Sequence, residues 1–95
     1  MKLESLVPST SATKKYKAVF RLDNNKTKSI HFGAKGYSDY IQSGSEEKKA
    51  AYIARHKVNE NFNNPMSAGA LSRWVLWNKP TLSASIADFK KRFNL

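Results

Sequence analysis

Two tryptophans three residues apart, Trp74 and Trp77, lie beside Arg73 in the run SRWVLWNKPT, from Ser72 to Thr81. Indoles stack on unpaired bases, and an arginine beside them adds attraction for phosphate, so such a trio has the chemistry of a single-strand platform. Helical spacing argues against that use of both rings. Trp74 shares a face with Leu71 and Val75 and belongs with the core, whereas Trp77, one turn on, is open to two readings: half-burial against the core, its indole N–H needing a partner, or base stacking.

Other chemistry is thin. His31 and His56 match no metal-binding spacing, and without cysteine there is neither a thiolate metal site nor a disulfide framework. The acids Asp39, Glu60 and Asp88 are dispersed and form no paired-carboxylate spacing. Phe32-Gly33-Ala34-Lys35-Gly36 has the glycines and lysine of a phosphate-cradling loop, but it reads better as a tight turn after a strand. No nucleophile elbow, P-loop or dinucleotide fingerprint is present. The expectation is a protein that is not an enzyme and needs neither metal nor cofactor.

Charge is the strongest clue. Seventeen Lys and Arg face seven Asp and Glu, a formal +10, and such an imbalance implies a polyanionic partner. The candidate phosphate contacts are Lys15, Lys17 and Arg21 on one segment and Lys48, Lys49, Arg55 and Lys57 on another. Lys90, Lys91 and Arg92 join them near the end of the chain. Contacts of this kind neutralise phosphate without reading sequence.

The elements that must carry these residues follow from periodicity. Residues 1–13 read as a flexible tail, since Pro8 to Thr13 is small and polar. From Lys15, alternation puts Tyr16, Ala18, Phe20 and Leu22 on one face and Lys15, Lys17, Val19 and Arg21 on the other. Asp23-Asn24-Asn25-Lys26 turns the chain, and Ile30, Phe32 and Ala34 return it as a second strand. The hairpin's outer face would then hold Lys15, Lys17, Arg21 and His31. Tyr37–Ile41 is open to a helical turn or an extended connector.

Ser45 caps a first helix reaching about Val58, with Ala50, Tyr52 and Ile53 as its buried stripe. A second helix is predicted from Ser67 to Asn78 and a third from Thr81, its apolar residues Leu82, Ile86, Phe89 and Phe93 on one side. The last two resemble a helix-turn-helix. However, the outer face of the final helix offers Ser83, Ala84, Ala87, Asp88 and Lys91, with no Arg, Asn or Gln to read base edges. The predicted class is α+β: an N-terminal antiparallel β-hairpin packed on about three α-helices, as one domain over residues 14–95.

The stretches HFGAKGYSDY (31–40), YIARHKVNENFNNP (52–65) and AGALSRWVLWNKPTLSASIADFKKRF (68–93) resemble a family of short proteins of no known activity encoded by giant and other large double-stranded DNA viruses. The resemblance runs from about Tyr16 to Phe93. That family carries a His-Lys-Asp segment where this chain has Ile41 to Ser45, and Trp and Asp in place of Phe62 and Asn64. The resemblance implies a viral source and brings no site residues. It sets the protein near a packed DNA genome, in the infected cell or within the virion, and not in a membrane or outside the cell. Two functions are therefore expected from charge and setting: sequence-independent binding of nucleic acid, DNA above all, or a minor virion protein that grips acidic surfaces of capsid or other virion proteins.

Overall fold

The structure is a computed structural model describing residues 1–95. Three strands form an antiparallel meander, β1 (Lys2–Pro8), β2 (Lys14–Arg21) and β3 (Thr27–Ala34), with β2 in the centre. Helices α1 (Tyr40–Ser43), α2 (Glu46–His56), α3 (Ala68–Leu71) and α4 (Leu82–Arg92) follow; α3 continues as a π-helical turn over Ser72–Leu76. The segregation of strands from helices makes this an α+β fold.

The hairpin takes the register its alternation dictates, Tyr16 opposite Phe32 and Ala18 opposite Ile30. Asn25 adopts φ 68° at the turn, a left-handed conformation that asparagine tolerates better than most residues. The first residues depart from expectation. The segment read as a tail contributes β1, because Leu3 and Leu6 pair opposite Phe20 and Ala18 and add apolar surface to the inner face. Only Ser9–Thr13 remains as a connection, and it is tied down by Ser9, whose backbone N–H donates to the Lys15 carbonyl.

The core lies between the inner sheet face and the last two helices. Leu3, Ala18, Phe20 and Phe32 meet Leu71, Val75, Leu76 and Phe89, and the Phe20 and Phe89 rings lie 6.5 Å apart. Each fully buried ring of this size contributes about 2–3 kcal/mol of hydrophobic stabilisation. Gly33 is required where the sheet meets the π turn. Its φ is +79°, and a Cβ there would sit 2.7 Å from the Leu76 Cδ1 atom.

Caps set the helix starts. Ser45 and Thr81 accept the N–H of Lys48 and Ala84, as their residue types predict. Asp39 and Gly44 resolve the ambiguous stretch between the sheet and α2. Asp39 accepts from the Gln42 N–H and Gly44 closes α1 in the left-handed region, so Tyr40–Ser43 forms a single helical turn. The helix predicted over Ser67–Asn78 is not regular: Trp77 N–H bonds back five residues to Ser72, and the chain leaves the helix at Trp77. Buried Asn78 then donates to both the Trp74 carbonyl and the Asp88 carboxylate, joining the helix end to α4. No helix is long and apolar enough to cross a membrane.

Candidate functional site

Helix α2 presents an unusual face. Lys48, Ala51, Tyr52, Arg55 and His56 recur at the spacing by which a helix normally faces its core. Here that stripe lines a cleft of about 660 Å³ closed on the other side by Lys14, Lys15 and Gly33 from the sheet and by Ser72, Leu76 and Trp77 from the π turn. Sequence reading assigned Ala50 to the buried stripe, but Ala50 is exposed and Tyr52 is the anchoring residue. Two charged residues sharing Tyr52's face hid the orientation: apolar count alone cannot distinguish a core face from a cleft wall.

Tyr52 is the middle of three stacked rings. Its ring lies 4.6 Å from Trp77 at 8° and 4.2 Å from His56 at 25°. The Tyr-x-x-x-His spacing brings two rings together on any helix, and this was the signal available in the sequence. Burial, reinforced by the Glu60 charge, pushes the Tyr52 hydroxyl up to about 12. Glu60 accepts from or pairs with His56 at 3.3 Å, and its other oxygen packs against Gly69, where a Cβ would approach to 2.7 Å. A carboxylate beside the first turn of α3 is favoured by the helix dipole.

The floor of the cleft is held by an enclosed ion pair. Lys15 donates to Asp39 at 2.7 Å and to the Tyr37 carbonyl, and the two side chains are only 12% and 5% exposed. Lys15 thus leaves the exposed sheet face expected for it. Nearby, Lys49 donates to the Asn78 carbonyl and lies 4.7 Å over the Tyr40 ring. The hydroxyl of Tyr40 is raised above its ordinary value by its hydrogen bond to Glu46.

Two further expected phosphate contacts are also engaged. Arg21 binds Glu4 through both Nε and Nη2, made possible by the irregular pairing that shifts register between Leu3 and Ser5. Arg92 pairs with Asp88 at 3.5 Å and lies 3.7 Å over Trp74, while Arg73 lies 4.0 Å over the same ring. At those distances the two guanidinium groups need opposite faces. Trp74 also donates its N–H to the Phe62 carbonyl and packs against the core. Burial and the neighbouring Arg92 lower the Arg73 pKa. Asp88 is held below its ordinary value first by Asn78.

Lys17, Lys48, Arg55, Lys57, Lys90 and Lys91 have no ion-pair partner within the chain. Lys48 and Arg55 face the cleft together with Lys14, which sequence reading had not selected. Lys17 lies opposite His31 on the sheet, and His31 bonds Ser9 at 2.6 Å. Lys90 and Lys91 form a separate exposed pair on α4. Trp77 has one face covered by Tyr52, and both residues line the cleft. No three His, Asp or Glu side chains gather as a metal site.

Residues 4–56 match the model of a family of unknown function (DUF5754). The chain belongs to that family. The matched region takes in the sheet and both α1 and α2, and hence Lys14, Lys48, Tyr52, Arg55 and His56. The segment from α3 through the π turn to Trp77, which supplies Gly69, Ser72, Leu76 and Trp77 to the cleft, lies beyond it. No curated protein and no solved structure matches the chain.

Proposed function

We propose that the protein binds nucleic acid without strong sequence preference, through phosphate contacts centred on α2. The observation that carries this reading is how the charges are spent inside the fold. Six of the seven acids have internal partners: Glu4, Asp23, Asp39, Glu46, Glu60 and Asp88. Among side-chain cations, only Lys15, Arg21 and Arg92 form ion pairs with them. Most of the +10 excess therefore faces solvent, with Lys48, Arg55 and Lys57 on one helix and Lys90 and Lys91 on another. An uncompensated field of this kind attracts and holds a phosphate backbone by releasing its counterions. Resemblance to proteins of large DNA viruses favours DNA as the polyanion.

The test is fluorescence anisotropy on labelled random-sequence duplex and single-stranded DNA across a salt series. Binding should weaken steeply with salt, and Lys48→Gln with Arg55→Gln should reduce the slope by about two units together. Arg21→Gln should change it little, because Glu4 already neutralises that guanidinium. Absence of binding at low salt refutes the proposal.

A second reading rests on the outer sheet face. Val7 is 40% exposed there, with Val19, Lys17 and His31 in neighbouring positions and no helix over them. Such a face suits an acidic protein surface, including that of a virion component. Lys17→Glu would abolish that contact and leave the α2 contribution to DNA binding in place.

A further inference from the structure

Phosphate neutralisation needs cations on an open surface; it needs no cleft and no aromatic wall. Both are present beside α2. Lys14, Lys48 and Arg55 reach the cleft from two elements, and none has an ion-pair partner. Of the two acids that share the cleft, Asp39 is paired with Lys15 and Glu60 bonds His56; three unpaired cations against that one remaining carboxylate leave the balance inside it positive. Lys48 and Arg55 lie seven residues apart on one helical face, about 10 Å along the axis, and their long side chains can close on one phosphate between them.

The opposite requirement is met by the ring stack. Trp77, Tyr52 and His56 all line the cleft and form a column of stacked rings, which an inorganic anion would not use. Trp74 donates its indole N–H to Phe62, whereas the Trp77 N–H makes no hydrogen bond within the chain and is not among the buried unpaired groups. It is therefore a donor that is not sealed from solvent. The volume of about 660 Å³ lies within the range of small-molecule sites. A ligand using every part of this cleft carries phosphate at one end and a planar ring at the other.

We propose that the cleft takes one nucleoside phosphate, its phosphate held by Lys14, Lys48 and Arg55 and its base packed beside the Trp77–Tyr52–His56 ring stack. This rests on the nucleic-acid reading and deepens it: the surface cations gather the polyanion, and the cleft captures a single unpaired nucleotide. The ligand chemistry has two sources, a free nucleotide or the phosphorylated end of a strand.

The experiment follows the two indole N–H signals by nitrogen-15 NMR in the full chain, assigned with Trp77→Phe. The probes are adenosine 5′-monophosphate, adenosine, inorganic phosphate, and a single-stranded DNA decamer with and without a 5′-phosphate. Adenosine monophosphate should shift the Trp77 signal, leave Trp74 in place, and bind at least tenfold more tightly than adenosine or phosphate alone. The paired variant Lys48→Gln with Arg55→Gln should weaken it tenfold or more, whereas Lys90→Gln with Lys91→Gln should not. Circular dichroism of each variant shows that the fold is retained.

Tighter binding of the phosphorylated decamer than of its 5′-hydroxyl counterpart assigns the site to strand ends. Equal binding of the two decamers, with adenosine monophosphate still bound in the cleft, assigns it to free nucleotides. If neither adenosine monophosphate nor the phosphorylated decamer moves the Trp77 signal, the proposal is overturned. Salt-sensitive binding of random-sequence DNA would then still uphold the wider reading; loss of that binding as well would end both.

Discussion

The enclosed Lys15–Asp39 pair should be strongly coupled, and a double-mutant cycle measures it. Asp39 has two tasks: it accepts the Gln42 N–H that starts α1, and it neutralises Lys15 at 2.7 Å. Asp39→Asn separates them, since asparagine caps a helix as well as aspartate but carries no charge. The variant leaves Lys15 with only the Tyr37 carbonyl to compensate its ammonium. Lys15→Met keeps the length of the stem and leaves Asp39 with its cap. Breaking an enclosed ion pair from one side costs about 3–5 kcal/mol in fully buried cases, so about 2–4 kcal/mol is expected here for each single change. The double variant leaves no uncompensated charge and should be more stable than the sum of the singles predicts by about 1–3 kcal/mol. Urea unfolding followed by circular dichroism gives each value through the linear dependence of stability on denaturant. The coupling should persist at high salt, because enclosed charges are screened little. Additive single effects, within about 0.5 kcal/mol, would refute the claim that this pair fastens the loop before α1 to the sheet.

Other expectations follow from the same geometry. Phe89→Ala should lower stability by about 3–5 kcal/mol in the same urea assay, since it removes a fully buried ring from between the sheet and α4. Gly33→Ala should cost about 1–3 kcal/mol from its positive φ alone, with further loss from contact with Leu76; unchanged thermal stability would show that the strand end relaxes freely. Tyr52 binds its proton more tightly when folded, with a value of about 12 against an ordinary 10, so its contribution is complete below pH 10 and is lost as pH rises towards 12. Tyr52→Phe should remove that part of the alkaline loss, and its ultraviolet titration should lack one late-ionising tyrosine that the parent protein shows. Asp88 has the reverse sign: its lowered value supplies stability above about pH 4 that is lost in stronger acid, and Asp88→Asn should flatten acid unfolding.

The parts of the fold that were legible carry local signals. Alternation from Tyr16 to Phe20, the Asp-Asn-Asn turn, and the capping residues Ser45 and Thr81 each determine their neighbours' conformation within a few residues. Strand β1 was hidden because its two inward-facing leucines, Leu3 and Leu6, straddle the register shift at Glu4, which breaks the alternation that marks a strand. The irregular end of α3 had no local signal either, since it depends on Asn78 reaching both Trp74 and Asp88 across the following turn. Charge predicted the kind of partner but not which cations are free. Arg21 differs from Lys48 only through Glu4 on a strand that had been read as a tail. The cleft joins residues from the sheet, α2 and the π turn, and no window of sequence contains them all.

The π turn has a consequence for inheritance. Its five-residue hydrogen-bonded repeat holds one residue more than an α-helical turn, so a deletion of one residue between Ser72 and Leu76 restores an ordinary helix. Because the wider turn absorbs its extra residue, the chain beyond the deletion keeps about the same bearing, and the indole of Trp77 stays against Tyr52. One codon lost there shortens the chain without dismantling the ring stack, and the three-stranded sheet and α2 are left intact. A lineage can therefore change its chain length at this one point, while the rings and the cations that face the cleft are passed on untouched.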